Sequence, residues 1–287
     1  MDFGEVRLFD NENIKKIRLT AYKWEELIGN KEILYKALCD LLLSEENLFY
    51  YASQKESTKT LVDTRKYIKK LIDKDIIDST IEDVLSGIGW KKEQININST
   101  HFQGDLAEYL MCILLDKITN VDTIISKVSL KTSPRMPSYG NDNIYYDYEK
   151  EILYYGESKF YDNVSSAIKR AKESLEQHAN AEEFSFIRSH DNVIIAEDGT
   201  KRIKIIEELE EKSIEEITIK SIFFIANDDI YLKADYESKI IERFESIEEL
   251  NIKSAELIMV FLPILSKGEF LNYFKGRLEK NEGWNYI

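Results

Sequence analysis

Two apolar periods alternate along the second two-thirds of the chain. Gly104–Lys117 is an almost continuous apolar stretch of helical length. Val121–Leu130 reads as a strand, and Lys131–Gly140, with Pro134 and Pro137, as a loop. Asp142–Tyr148 and Ile152–Phe160 are β-rich runs separated by the polar Glu149-Lys150-Glu151, which predicts a hairpin. Asn163–Phe186 returns to helical spacing, with Val164, Ala167, Ile168, Ala171 and Leu175 on one face and Asp162 or Asn163 as cap. Ile219–Ala226 and Leu257–Leu262 read as buried strands, and Glu269–Lys280 as a last amphipathic helix. This order predicts a mixed-sheet α/β core over residues 101–287.

The first hundred residues read as a mainly helical N-terminal region. Ile33, Leu34, Ala37, Leu38, Leu41 and Leu42 keep helical spacing within Glu32–Tyr51, and Tyr67, Ile68, Leu71 and Ile72 repeat it. Gly87, Gly89 and the polar run Lys91–Thr100 mark the expected boundary. The region holds no catalytic constellation, which makes it the first candidate for partner docking.

Composition narrows the function. The 287 residues are 43% hydrophobic and 32% charged, a globular balance. The net charge of −14 excludes a protein that coats DNA by charge alone. Two cysteines, Cys39 and Cys112, make no disulfide framework, and His101, His178 and His190 lack zinc spacing. No apolar run reaches membrane-spanning length, and the opening MDFGEVRLFDNENIKK has no basic-then-apolar signal pattern. No membrane association and a cytoplasmic location are expected. The phosphate-loop pattern of an ATPase is absent from the sequence, so any ATP-driven step belongs to another chain.

The chemistry lies in the hairpin. A hairpin centred on Lys150 sets Asp142 opposite Ser158, between Glu157 and Lys159, and sets Asp147 opposite Leu153 near the turn. Glu157 and Lys159, two apart on a strand, share a face. Asp142 reaches that face if the register slips by one or a bulge intervenes. Two close carboxylates repel unless a divalent cation sits between them, and Mg²⁺ or Mn²⁺ prefers such oxygen ligands. A bound cation lowers the pKa of its water and neutralises phosphate charge, while a nearby Lys orients or helps deprotonate that water, or stabilises the developing charge. Asp142, Glu157 and Lys159 are thus candidate catalytic residues for phosphodiester hydrolysis. Glu108, inside the apolar Gly104–Lys117 helix, is costly to bury without a partner and is the third candidate metal ligand. Relief of carboxylate repulsion allows Glu157→Ala to raise the melting temperature. The bland alternative for Glu157 and Lys159 is a solvent-facing ion pair on a strand.

Asp142 with Glu157-x-Lys159 on a hairpin, and Glu108 on the preceding helix, resembles the PD-(D/E)xK nuclease superfamily of restriction-endonuclease-like fold, over roughly Phe102–Ala226. Asn141 stands where the literal motif has Pro. Gln177, on the helix after the hairpin, matches a Gln found in some branches and is a possible accessory residue. A closer likeness lies in Gly104-x-x-x-Glu108, Gly140-x-Asp142, Gly156-Glu157-Ser158-Lys159-Phe160-Tyr161, Ala167-Ile168 and Ser174-Leu175. These resemble the HamA family, effector subunits of Hachiman antiphage defence. The resemblance implies a metal-dependent DNase working with a DNA helicase subunit, HamB, and a family-specific helical front.

Charge distribution agrees with a local DNA surface. Lys127–Lys172 holds eight Lys or Arg against six Asp or Glu, a net of +2, which leaves −16 for the remainder. Lys127, Lys131, Arg135, Lys169, Arg170 and Lys172 flank the candidate site and are candidate phosphate contacts. Ile203–Leu250, with fourteen acidic and six basic residues, should face away from DNA and is the second docking candidate. Two other functions fit the same residues: a catalytically silent nuclease-fold module that binds DNA or a partner, and a site-specific restriction endonuclease.

Overall fold

Among the described residues seven strands make one sheet, and the hairpin lies toward its β3 edge. The computed structural model describes residues 6–14, 17–23, 30–49, 74–91, 95–118, 122–126, 142–147, 150–178, 207, 211, 218–228 and 255–280. The strands are β1 (Val6–Ile14), β2 (Ile17–Lys23), β3 (Asp122–Ser126), β4 (Asn143–Asp147), β5 (Ile152–Tyr161), β6 (Thr218–Asn227) and β7 (Ala255–Pro263). Their spatial order is β1-β2-β7-β6-β5-β4-β3. The β2–β7–β6–β5 pairings are parallel, and the flanking β1–β2, β5–β4 and β4–β3 pairings are antiparallel. Ile152–Ser158 of β5 and Ser221–Asn227 of β6 are buried at every position. Strands covered on both faces read as continuous apolar runs rather than alternating ones, which is why these two were readable in the sequence.

Among the described residues the helices are α1 (Lys31–Leu42), the single turn α2 (Glu45–Asn47), α3 (Lys74–Gly87), α4 (Thr100–Ile118), α5 (Val164–His178) and α6 (Lys267–Glu279). Helix α4 buries Leu106, Ala107 and every residue from Tyr109 to Leu115, as an almost wholly apolar helix must. Both α4 and α5 pack on β5.

The expectation of a mainly helical N-terminal region is corrected at residues 6–23. They form a β-hairpin that joins the sheet beside β7, pairing Ile17↔Ala255 through Lys23↔Phe261. The alternation in Ile17-Arg-Leu-Thr-Ala-Tyr-Lys has the period of a strand. The expected helix Glu32–Tyr51 is likewise interrupted. Asn30 caps α1 by accepting from the N–H of Glu32 and Ile33, and α1 stops at Leu42. Ser44 then caps a new turn by accepting from Asn47 N, while the Asn47 side chain donates to Leu41 O at 2.8 Å. The repeat at Tyr67–Ile72 lies outside the described residues.

Among the described residues one apolar core runs from Leu34 in α1 to Leu278 in α6. Trp90, beyond the expected boundary glycines, is buried with its ring 5.9 Å from Phe102, 5.4 Å from Tyr109 and 5.2 Å from Phe274. Burying one such ring stabilises by roughly 1.5–3 kcal/mol. Helix α1 is also fastened to α6. Tyr35 Oη donates to Ser266 O at 3.0 Å, Arg277 pairs with Asp40 at 2.7 Å, and Lys31 pairs with Glu269.

Candidate active site

The β4–β5 register runs from Asn143↔Gly156 to Asp147↔Ile152. It is one residue out from a hairpin centred on Lys150. Continued past its last pair, it sets Asp142 across from Glu157 rather than Ser158. The cause is the turn. Asp147 Oδ1 accepts from Lys150 N at 3.1 Å, its Oδ2 from Lys150 Nζ at 2.7 Å, and Glu151 takes a φ of 54°. Asp147 therefore serves the turn, at the far end of β4 from Asp142.

Asp142 stands just before β4, and its Oδ2 accepts two hydrogen bonds from Ser158, from the backbone N at 2.7 Å and from Oγ at 2.8 Å. Behind it, the fully buried Asn143 bridges strand to helix. Its Nδ2 donates to the Glu108 carbonyl at 3.1 Å, and its Oδ1 accepts from Cys112 Sγ at 2.7 Å. Gly156 permits this close approach: a Cβ there would lie 2.8 Å from Tyr145 Cε2, 3.1 Å from Met111 Cε and 3.2 Å from Asn143 O. Glycine, Asn143 and α4 together fix where Glu108 stands relative to Asp142.

A cavity of about 520 Å³ opens at this junction. Glu108, Asp142, Ser158 and Lys159 line it, with Thr100, Gln103 and Gly104 from α4, Arg170 and Glu173 from α5, and Lys267 from α6. Glu157, 7% exposed, is ion-paired with Lys159. The pair is thus buried, unlike the solvent-facing pair of the bland alternative. Burial pulls the Lys159 pKa down, but the charges of Glu157 and Asp142 and the hydrogen bond to Glu157 outweigh it and raise the pKa above the ordinary lysine value. Lys159 is an ammonium at neutral pH.

The expected carboxylate trio is not gathered as one ligand group. Glu108 and Asp142 share the cavity, whereas Glu157 is engaged by Lys159, and no three His, Cys, Asp or Glu side chains among the described residues form a metal-holding cluster. The available donors are nonetheless hard oxygens. They suit a hydrated Mg²⁺ or Mn²⁺, which takes one or two carboxylates and keeps several waters, rather than a cation caged by protein.

Of the candidate phosphate contacts, Lys169 and Arg170 are exposed on α5, and both face Glu173, at 3.9 and 2.8 Å. Lys127, Lys131, Arg135 and the side chains of Lys172 and Gln177 lie outside the described residues. Sequence reasoning missed Lys267 and Arg170's partner Glu173 as cavity residues. Lys267 lies more than a hundred positions beyond the hairpin, and no local motif announces it.

A family model described as HamA matches residues 3–278. The chain belongs to the HamA family. Membership associates it with Hachiman defence, and the match takes in both the N-terminal strands and α6. No curated protein matches the chain. Among the described residues no helix is long and apolar enough to cross a membrane.

Proposed function

We propose that this chain is the DNA-cleaving effector of a Hachiman defence system, a Mg²⁺- or Mn²⁺-dependent deoxyribonuclease of PD-(D/E)xK type, restrained and targeted by an ATP-dependent helicase partner of the HamB kind. The observation that carries the reading is one cavity lined by Glu108, Asp142 and Lys159, with Glu157 paired to Lys159 beside it. Asp142 and Glu108 would hold the metal, with Glu157 joining them by exchanging its ammonium partner. When bound, the metal supplies an acidified water and positive charge to the phosphate. Without metal, Glu157 and Asp142 hold Lys159 as an ammonium. Once the metal takes those carboxylates, Lys159 is released to orient the water or to offer charge to the phosphate. Ser158 holds Asp142 in place through two donors.

Plasmid cleavage by the full chain in Mg²⁺, with and without the helicase, tests this. Cleavage that stops in excess chelator and in Ca²⁺ is expected. Full activity in chelator, or none under any condition, overturns it. The Glu157–Lys159 pair also favours a second reading, a silent module whose former ligands neutralise one another. A Mn²⁺ titration separates the two, because the silent module would bind no metal at this site.

A further inference from the structure

We propose that Lys267 is a substrate-binding residue that holds a backbone phosphate next to the one hydrolysed. The proposal rests on the nuclease reading and extends its site to α6. Lys267 is the first residue of α6, yet its side chain lies in the cavity wall and is only 14% exposed. Its Nζ donates to the Phe160 carbonyl at 3.0 Å and stands 5.0 Å from the Phe160 ring centroid and 5.9 Å from that of Tyr161. Phe160 directly follows Lys159, so β5 sets the two lysines about the same strand end.

An ammonium has three donors and is expensive to withdraw from water without an anion. The carbonyl satisfies one donor. Among the described residues, the one carboxylate within ion-pair range is Asp162, at 3.6 Å, and its side chain is 77% exposed. Rings and one carbonyl compensate a half-buried cation only in part. Lysine tips ordinarily escape to solvent along their stems. Here the tip is kept in the lining of the same cavity as the hydrolytic candidates Glu108, Asp142 and Lys159. Lys159 is already matched by Glu157, and Arg170 by Glu173. Lys267, faced among the described residues only by the exposed Asp162, is a second cavity cation, beside Lys159, with charge to offer a phosphate.

The test is equilibrium binding of a short DNA duplex to the full chain, with Ca²⁺ in place of Mg²⁺, across a salt series. Plasmid cleavage by the unaltered chain runs alongside. Lys267→Gln should lower the slope of log K against log salt by about one, the signature of one lost phosphate contact. Lys267→Arg should keep the native slope, and melting temperatures should stay near native. Lys267→Met, which keeps the stem over Phe160, replaces the Gln variant if that one unfolds. An unchanged slope in a chain that still binds and cleaves overturns the role of Lys267 and leaves the nuclease reading standing. A native chain that neither binds nor cleaves overturns the nuclease reading, and the proposal with it.

Discussion

Asp142 and Ser158 are joined twice, through the backbone N–H and the hydroxyl of the serine, both to the same carboxylate oxygen. The second carboxylate oxygen is left to the cavity. Ser158→Ala removes one of the two bonds, worth about 1.5–3 kcal/mol for a charged acceptor. Cleavage should slow without vanishing, because the backbone donor remains. Asp142→Asn should abolish it. Rate measurements on the two variants decide the order, and an active Asp142→Asn chain would remove Asp142 from the proposed ligand set.

The buried Glu157–Lys159 pair reverses one expectation. Repulsion between carboxylates suggested that Glu157→Ala could melt higher, but Glu157 faces an ammonium. Removing one partner of a buried pair leaves a charge uncompensated and costs about 3–5 kcal/mol. Glu157→Ala and Lys159→Met should therefore melt lower and fail to cleave. A Glu157→Ala chain that melts above native would show that the pair is net destabilising. The pH dependence has a definite sign. The folded pKa of Lys159 lies above the ordinary 10.5. Its contribution to stability is then complete at and below neutral pH and is lost only as pH climbs through that raised value. Thermal melts between about pH 6 and 9 should show no loss traceable to this lysine.

Gly156→Ala tests the close approach of β5 to α4. The added methyl meets a ring atom of the fully buried Tyr145 at 2.8 Å, and that ring has little room to give. Overpacking of this kind costs about 1–3 kcal/mol. The expected result is a lower denaturation midpoint together with reduced cleavage, since the shift moves Asn143 and with it Asp142. A variant of native stability and rate would mean that β4 accommodates the methyl freely.

Asn143→Ala deletes the bridge from β4 to α4, two hydrogen bonds worth about 1 kcal/mol each. Activity should fall further than stability, because Glu108 and Asp142 lose their shared tie. Comparing the rate ratio with the change in unfolding free energy checks this. Proportionate losses would mark Asn143 as a packing residue alone.

The central strands were legible because their burial on both faces leaves unbroken apolar runs, as in Ser221–Asn227. The hairpin was legible through Glu149-Lys150-Glu151, but its register was not. The turn depends on Asp147 bonding Lys150 and on Glu151 at positive φ, and neither position carries the Gly or Asn that would advertise it. Strand β1 was not legible because register shifts between Arg7 and Phe9 and between Asn11 and Ile14 break its alternation, which left the strand period of β2 without a readable partner. Glu108, Asp142, Glu157 and Lys159 could be found from type and spacing. Lys267 could not, because only the packing of α6 against β5 brings it to the cavity.

The pairing of β2 with β7 bears on how a helicase contact should be sought. Cutting away the front of the chain is the obvious way to test it for docking. That cut would strip β7 of its outer neighbour and bare seven residues of parallel edge, Ala255–Phe261, together with the core face once filled by Leu34, Leu38 and Leu42. An uncovered apolar edge is a template for self-association. Chains shortened past residue 30 should therefore collect in the pellet or in the void volume of a sizing column, whether or not the proposed helicase partner docks there. Charge reversals on exposed positions of the intact chain, such as Glu32 or Lys36, are the informative probes.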